Sequence, residues 1–370
     1  MLKKIKIAQI VGKLYGGGVE KVVFNYCRAI NKERVQMDVF YDEDSTVNPP
    51  EDLIKAGVKF YKIPPYQKLW EYIPKLYHLL KTNDYDIIHS NLNTLSVFPL
   101  FVAKLAGIKI RIAHNHSVPS KNEGLRTILK YMLRPFSKVY ANQYFACSEK
   151  AGRWLFGNKT YDSGKVKFIP NAVFFKKFNQ KISQSTKQKL GINDNTLVVG
   201  HVGRLTFAKN QLFLIDIFSE IHKKNKNSIL LIVGDGEKLS AVKNKIKEKR
   251  LENVVKLIGQ SNNPEKYYSV MDVFILPSYF EGLSMATIEA QLGKVPVLVS
   301  EAVPNEAKIS NCFNQLSIAE GPEKWAETAL KIAGSEVVVL DSGEKYNIYK
   351  AVDVLYNQYK NMLEQVKSVP

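Results

Sequence analysis

Glu281 and Glu289 lie eight residues apart in Ser278-Tyr279-Phe280-Glu281-Gly282-Leu283-Ser284-Met285-Ala286-Thr287-Ile288-Glu289. The apolar run at 272–276 predicts a strand, the Glu281-Gly282 pair a turn, and the residues from Ser284 onward a helix. A helix start leaves backbone N–H groups unpaired. Those of Gly282, Leu283 and Ser284 would therefore offer donors, helped by the helix dipole, to anionic or hydroxyl oxygens. The two carboxylates are too far apart to share a proton, so they suit separate hydroxyl-binding tasks on one elongated ligand. An ordinary capped helix with two surface glutamates has the same spacing.

A second segment, Gly200-His201-Val202-Gly203-Arg204-Leu205-Thr206-Phe207-Ala208-Lys209, follows another predicted strand. Gly203 permits close backbone approach. Arg204 and Lys209 supply two positive charges suited to a diphosphate. If that diphosphate is a leaving group, negative charge grows on it as its bond breaks. Fixed cations then stabilise the transition state more than the ground state and stand in for a divalent metal. A basic strand-end loop can equally be no more than solvated.

After the first strand comes Gly12-Lys13-Leu14-Tyr15-Gly16-Gly17-Gly18-Val19-Glu20. It has neither the dinucleotide fingerprint nor a phosphate-loop Gly-Lys-Ser/Thr. Gly16, Gly17 and Gly18 fit a flexible loop opening a helix toward a binding face. Three histidines stand at or after predicted strand ends: His89, His114 and His116. The last two, spaced i and i+2, are expected to divide, one toward the binding face and one toward the core. No set of further ligands completes a zinc site around them. Gly234-Asp235-Gly236-Glu237 has the chemistry of a tight structural turn.

These residues need elements to carry them. Short β-branched runs at 4–11, 35–41, 59–63, 86–90, 109–113 and 139–146 alternate with helical patterns at 18–30, 66–81 and 95–105. The theme returns with runs at 197–202, 228–233, 254–258, 272–276 and 295–299. Such alternation predicts parallel sheets covered by helices on both faces, hence an α/β chain of two doubly wound Rossmann-like domains. The polar stretch at 176–189 marks the linker. The expected division is 1–172 for the N-terminal domain and 173–350 for the C-terminal one, with a last helix, 351–370, packed back on the first. Doubly wound domains bind ligands at the carboxyl ends of their strands, where all the segments above lie.

The chain has 370 residues, 45% hydrophobic and 24% charged, as in soluble globular proteins. No apolar run is long enough to span a bilayer. Cys27, Cys147 and Cys312 have neither metal-ligand nor disulfide-framework spacing, which fits a reducing, cytoplasmic setting. The net charge of +18 is uneven: residues 101–170 carry thirteen basic side chains against three acidic ones. An excess of this kind suits an anionic partner, either a phosphate-bearing ligand, an acidic membrane surface or nucleic acid. Within it, residues 125–138 are basic, aromatic and helically spaced. They fit a helix lying on the inner leaflet of the plasma membrane as well as one half in the core.

The segment from Glu281 to Glu289 resembles the E-x7-E signature of retaining glycosyltransferases of the GT-B fold, in the family 4 (group 1) type. Asp272-Val273-Phe274-Ile275-Leu276-Pro277-Ser278 and Gly293-Lys294-Val295-Pro296-Val297 resemble that group too, and the likeness runs over nearly the whole chain. It is closest in kind to bacterial enzymes of capsular or extracellular polysaccharide synthesis. The resemblance implies two sheets facing across a deep cleft, acceptor on the N-terminal side and nucleotide sugar on the C-terminal side. It implies Glu281 on the donor sugar's hydroxyls, Glu289 on the ribose, Arg204 and Lys209 on the diphosphate, and Gly16–Gly18 near the donor phosphates. It also implies Gly259 and Gln260 near the base, and His116, with His114 second, beside the sugar. His89 is a weaker acceptor-side residue, and Ser148 and Asn171 match further pattern positions.

The implied reaction moves a hexose or N-acetylhexosamine from a nucleotide-diphosphate sugar, UDP by family frequency, to an undecaprenyl-diphosphate-type lipid-linked or oligosaccharide acceptor. It is retaining and needs neither metal nor resident cofactor. A sugar-nucleotide epimerase on the same fold, a basic nucleic-acid-binding protein and a non-catalytic partner subunit are the alternatives. No helix-turn-helix, RNP-like or zinc-finger pattern supports nucleic acid, and none is expected as a partner. The presence of Glu281, Glu289, Arg204 and Lys209 argues against a silent subunit.

Overall fold

A computed structural model describes residues 4–118, 125–178 and 183–367. The chain divides into two compact units. Residues 1–173 and 345–370 form the first, and residues 174–344 the second.

The first unit is built on a seven-stranded sheet whose paired strands are all parallel. In chain order these are β1 (Ile5–Gly12), β2 (Val35–Asp42), β3 (Phe60–Ile63), β4 (Ile87–Ser90), β5 (Ile110–Asn115), β6 (Gln143–Ala146) and β7 (Val166–Phe168). Their spatial order is 3-2-1-4-5-6-7, so the winding reverses between β1 and β4. Central strands buried on both faces read as unbroken apolar runs, which is why their residues do not alternate. Ile10, Phe40, Ile88 and Ala113 share one core cluster with Tyr72, Leu76 and Leu100 from the covering helices.

The second unit carries β8 (Leu197–Val202), β9 (Ser228–Val233), β10 (Val255–Gly259), β11 (Val273–Leu276), β12 (Val297–Ser300) and β13 (Phe313–Leu316). Their order is 10-9-8-11-12-13, again parallel throughout, with the reversal between β8 and β11. Phe218, Ile232, Ile275 and the fully buried Trp325 lie in its core. Each unit thus has a switch point where loops leaving the two central strands diverge and leave a crevice.

Four local expectations change. The strand expected at 139–146 begins only at Gln143, because Arg134–Lys138 forms a 3-10 turn that Val139 closes on the Phe136 carbonyl. Strand β5 runs on to Asn115, so His114 lies inside it. The polar stretch expected as linker contains the helices Phe175–Phe178 and Ser183–Leu190, and Phe178 packs on Tyr268 of the second unit. Finally, β7 and β13 were not foreseen. Both are short edge strands carrying Lys167 or Asn314 and Gln315, polar residues that suit an edge and erase the apolar signal.

The C-terminal helix Ile348–Lys367 belongs to the first unit and packs on the helix Gly18–Ala29. It enters through a bridge in which Val173 N–H donates to Tyr346 and Ile348 N–H donates to Val173.

Candidate active site

In the second unit the switch point gathers the residues singled out after β8 and β11. Beyond β8, Gly203 N–H donates to Val233 O at 3.0 Å and Leu205 N–H to Asp235 O at 3.0 Å. The Gly234-Asp235-Gly236 turn therefore lies backbone to backbone against the Arg204 loop. A Cβ at Gly234, where φ is +143°, would sit 2.0 Å from the Gly203 carbonyl oxygen, so only glycine fits. His201, fully buried on β8, donates from Nδ1 to Ile275 O on β11 at 2.9 Å and so joins the two strands. Its Nε2 receives Gln211 Nε2 at 3.2 Å, and the same amide donates to Arg204 O at 3.0 Å. Burial holds the His201 imidazole down at about 4, so the ring is neutral as this pattern requires.

Lys209 Nζ lies 2.6 Å from Glu281 Oε1, and Ser278 Oγ donates to the same oxygen at 2.7 Å. The Glu281 side chain is only 7% exposed, that of Lys209 21%. Glu281 is thus drawn inward and half the local cationic charge is spent on it. Arg204 is the exposed cation, its guanidinium 3.9 Å from Glu237. Ser284 caps the helix Met285–Leu292 by accepting from Thr287 N–H and Oγ1. Leu283 and Ser284 are buried, while Gly282 is partly exposed. One turn further, Glu289 accepts from the buried Tyr268 hydroxyl at 3.0 Å. Burial and this carboxylate together push the phenol above its ordinary range. Gly259 closes β10 at φ +77° and receives Gly234 N–H at 2.8 Å, with Gln260 next in the chain. Phe207 and Tyr279, stacked at 5.1 Å and both over a third exposed, flank the Lys209–Glu281 pair in sequence; neither had been singled out.

In the first unit the glycine-rich loop is closed from within. Glu20 accepts Tyr15 N–H at 3.1 Å and Gly16 N–H at 2.9 Å, and its side chain lies against Gly17. Burial raises its carboxyl above the usual range, partly offset by these amides. The Glu20 carboxyl group therefore takes up the Tyr15 and Gly16 backbone N–H groups from within the loop. Gly18, at the helix start, has open space around its Cα.

The three histidines form one buried cluster. His89 and His114 stack at 5.1 Å, and the His114 and His116 rings meet at a tilt with centroids 3.9 Å apart. The expected division of His114 and His116 between two faces is wrong. His114 lies on β5 and His116 just past its end, yet their rings are in contact and both are buried. His116 Nε2 lies 3.0 Å from Asn91 Oδ1 and Nδ1 2.9 Å from Asn171 Oδ1. Its backbone N–H donates to Asn93 Oδ1 and its carbonyl accepts from Cys147 Sγ. Asn93 adopts φ +53°, tolerable for asparagine, to make that contact. Ser148 caps the next helix through Ala151 N–H. Burial lowers His89 to about 3, His116 to about 4 and His114 well below its usual value, so all three are neutral near pH 7.

The segment 125–138 forms the helix Leu125–Leu133 and the following 3-10 turn. Ile128, Tyr131, Met132 and Phe136 are each at least half exposed on it. Among the described residues no helix is long and apolar enough to cross a membrane, and no three His, Cys, Asp or Glu side chains come together as a metal-ligand set.

Two parallel doubly wound units with binding loops at both switch points define the GT-B architecture of glycosyltransferases. HepE of Anabaena, solved with UDP-glucose, superposes with a TM-score of 0.75 at 19% identity, covering 98% of this chain and all of that one. Residues 183–350 match the profile described as glycosyl transferases group 1, and residues 16–174 that of glycosyltransferase family 4. The chain belongs to this family and is a glycosyltransferase. Among curated relatives, the UDP-Gal:α-D-GlcNAc-diphosphoundecaprenol α-1,3-galactosyltransferase of Escherichia coli is 26% identical over 97% of this chain and 98% of its own. The capsular polysaccharide biosynthesis glycosyltransferase CapH of Staphylococcus aureus is 25% identical over 89% and 90%.

Proposed function

We propose that the protein transfers a hexose or N-acetylhexosamine from a UDP-sugar to a lipid-linked or oligosaccharide acceptor in bacterial surface polysaccharide synthesis, with retention at the anomeric carbon. The observation that carries this reading is the second unit's switch point, where an exposed Arg204 and the Lys209–Glu281 pair stand on loops locked by His201 and Gly234. Arg204 and Lys209 hold the diphosphate and stabilise its growing charge, so no metal is required for leaving-group departure. Glu281, steadied by Ser278, positions sugar hydroxyls with the Gly282–Ser284 amides. Glu289, oriented by Tyr268, takes the ribose hydroxyls, and Gly203, Gly259 and Gln260 border the nucleotide. His116 serves the reacting end of the sugar; the bond to the diphosphate breaks through an oxocarbenium-like state, the acceptor oxygen bonds to the anomeric carbon from the leaving-group face, and its proton passes to the departing diphosphate.

The first unit takes the acceptor, with His89 and His114 supporting His116 from beneath and Gly16–Gly18 at the loop edge. The exposed apolar residues of 125–138, beside Lys130, Arg134 and Lys138, suit a peripheral location on an anionic inner leaflet, where an undecaprenyl-diphosphate-linked acceptor resides. The names of the Escherichia coli and Staphylococcus aureus relatives support this acceptor class and pathway.

The test is a transfer assay with UDP-glucose, UDP-galactose and their N-acetylated forms on a polyprenyl-diphosphate-linked sugar, in EDTA, with the product's anomeric configuration read by NMR. An α-linked product from an α-donor supports the reading. An inverted product, or turnover that EDTA abolishes, overturns the mechanism.

A further inference from the structure

The C-terminal helix contributes one polar side chain to the interior of the first unit. Tyr359 is fully buried, and its hydroxyl lies 2.7 Å from His89 Nδ1 and 3.1 Å from Gln9 Nε2. Hydrogen-bond directions along the chain of contacts follow from this point. Gln9 Nε2 can only donate, and it lies 3.1 Å from the Tyr359 oxygen and 3.5 Å from His89 Nδ1, so both accept from it and the Tyr359 proton goes to His89 Nδ1. His89 then carries its proton on Nε2, which faces His114 Nδ1 at 3.0 Å. His114 in turn is protonated on Nε2, where the hydrogen-bonded chain ends, since its contact with His116 is between ring faces only.

A second arm leaves the same hydroxyl. With Gln9 Nε2 turned to Tyr359, Gln9 Oε1 accepts from Asn91 Nδ2 at 3.0 Å. The Ile10 and His89 carbonyls, each 3.4 Å from Asn91 Nδ2, add to this, and together with Gln9 they hold the Asn91 amide with Oδ1 toward His116 Nε2 at 3.0 Å. His116 must therefore hold its proton on Nε2 and present a lone pair at Nδ1. A half-turn of the Asn171 amide places its NH2 on that lone pair, as a neutral ring requires.

We propose that Tyr359 is a positioning residue. It sets the tautomer of His89 directly and, through Gln9 and Asn91, favours the Nε2–H tautomer of His116. It acts 243 residues from its target in sequence and touches no reacting atom. The catalytic part of this inference rests on the reading of His116 as the residue at the sugar's reacting end. The tautomer part stands independently of it.

The experiment compares the full-length protein with its Tyr359→Phe and Gln9→Leu variants. With only six histidines, 15N-histidine labelling gives a countable set of long-range 1H–15N correlations. At pH 7 the wild type is expected to show His89 and His116 as single Nε2–H tautomers, without any ligand. Both variants should give mixed tautomers at these two rings while His201 and His222, in the other unit, keep their wild-type signals. Turnover should fall by at least about tenfold, with UDP affinity unchanged. Wild-type His89 and His116 signals in a folded Tyr359→Phe protein overturn the proposal. Mixed tautomers with full turnover overturn the positioning role. If the wild type binds no nucleotide, the transferase reading fails while the tautomer result still decides the relay.

Discussion

Lys209 and Arg204 carry the same charge but are embedded differently, and their removal should have different consequences. Glu281 is nearly inaccessible and relies on Lys209 Nζ at 2.6 Å, so Lys209→Ala leaves a buried carboxylate with only the Ser278 hydroxyl. The expected cost is about 1–3 kcal/mol of stability, besides weaker nucleotide binding. Lys209→Met combined with Glu281→Gln should recover most of that stability without recovering binding. Urea unfolding of the three proteins checks this, and an unchanged midpoint in Lys209→Ala would show that the pair contributes nothing to folding. Glu281, Arg204 and Lys209, on strand-end loops, and Glu289, on the helix that follows, can be singled out as candidates from the sequence because residue type and place along the chain are local facts. Glu20, His201 and Tyr359 cannot. Each acts through a partner that only the fold brings near, and a glutamate two residues past three glycines looks like any first-turn acid.

Parallel central strands announce themselves as continuous apolar runs, so the α/β alternation was visible, while the polar edge strands β7 and β13 were hidden by their composition. The face assignment of His114 and His116 failed because His116, just past the end of β5, is drawn inward by Asn91, Asn93 and Asn171 onto the His114 ring, partners that only the fold brings near. The Gly234-Asp235-Gly236 turn, read as structural, supports the Arg204 loop through backbone contact. Gly234→Ala should therefore displace that loop, costing about 1–3 kcal/mol and weakening nucleotide binding as Arg204 is carried away from its place. Gly18→Ala, with open space and an ordinary φ, should leave stability within about 0.5 kcal/mol of wild type. Thermal unfolding of both variants tests the contrast, and equal melting temperatures would remove the turn's supporting role.

Across the whole molecule, buried neutral histidines tie stability to pH. His89 is held at about 3, and His116 and His201 at about 4, against about 6.5 in an unfolded chain. Their contribution is complete above the unfolded value and is lost as pH falls below it, because the unfolded chain then binds protons the folded one refuses. Asp42, which burial pushes up to about 7, works the other way and offsets roughly one histidine. Unfolding free energy should therefore drop between pH 7 and pH 5, by ~1.4 kcal/mol per pH unit for each net proton taken up. Equal stability at the two values would mean that the rings are solvated. The central claim, a nucleotide-diphosphate site on the second unit built around Arg204, is tested most directly by calorimetric titration with UDP, GDP and ADP in EDTA. Saturable binding with UDP preferred is expected, weakened at least about tenfold in Arg204→Ala and also in Glu289→Ala. Folded wild-type protein that binds none of the three, or that binds UDP equally well after Arg204→Ala, would contradict it.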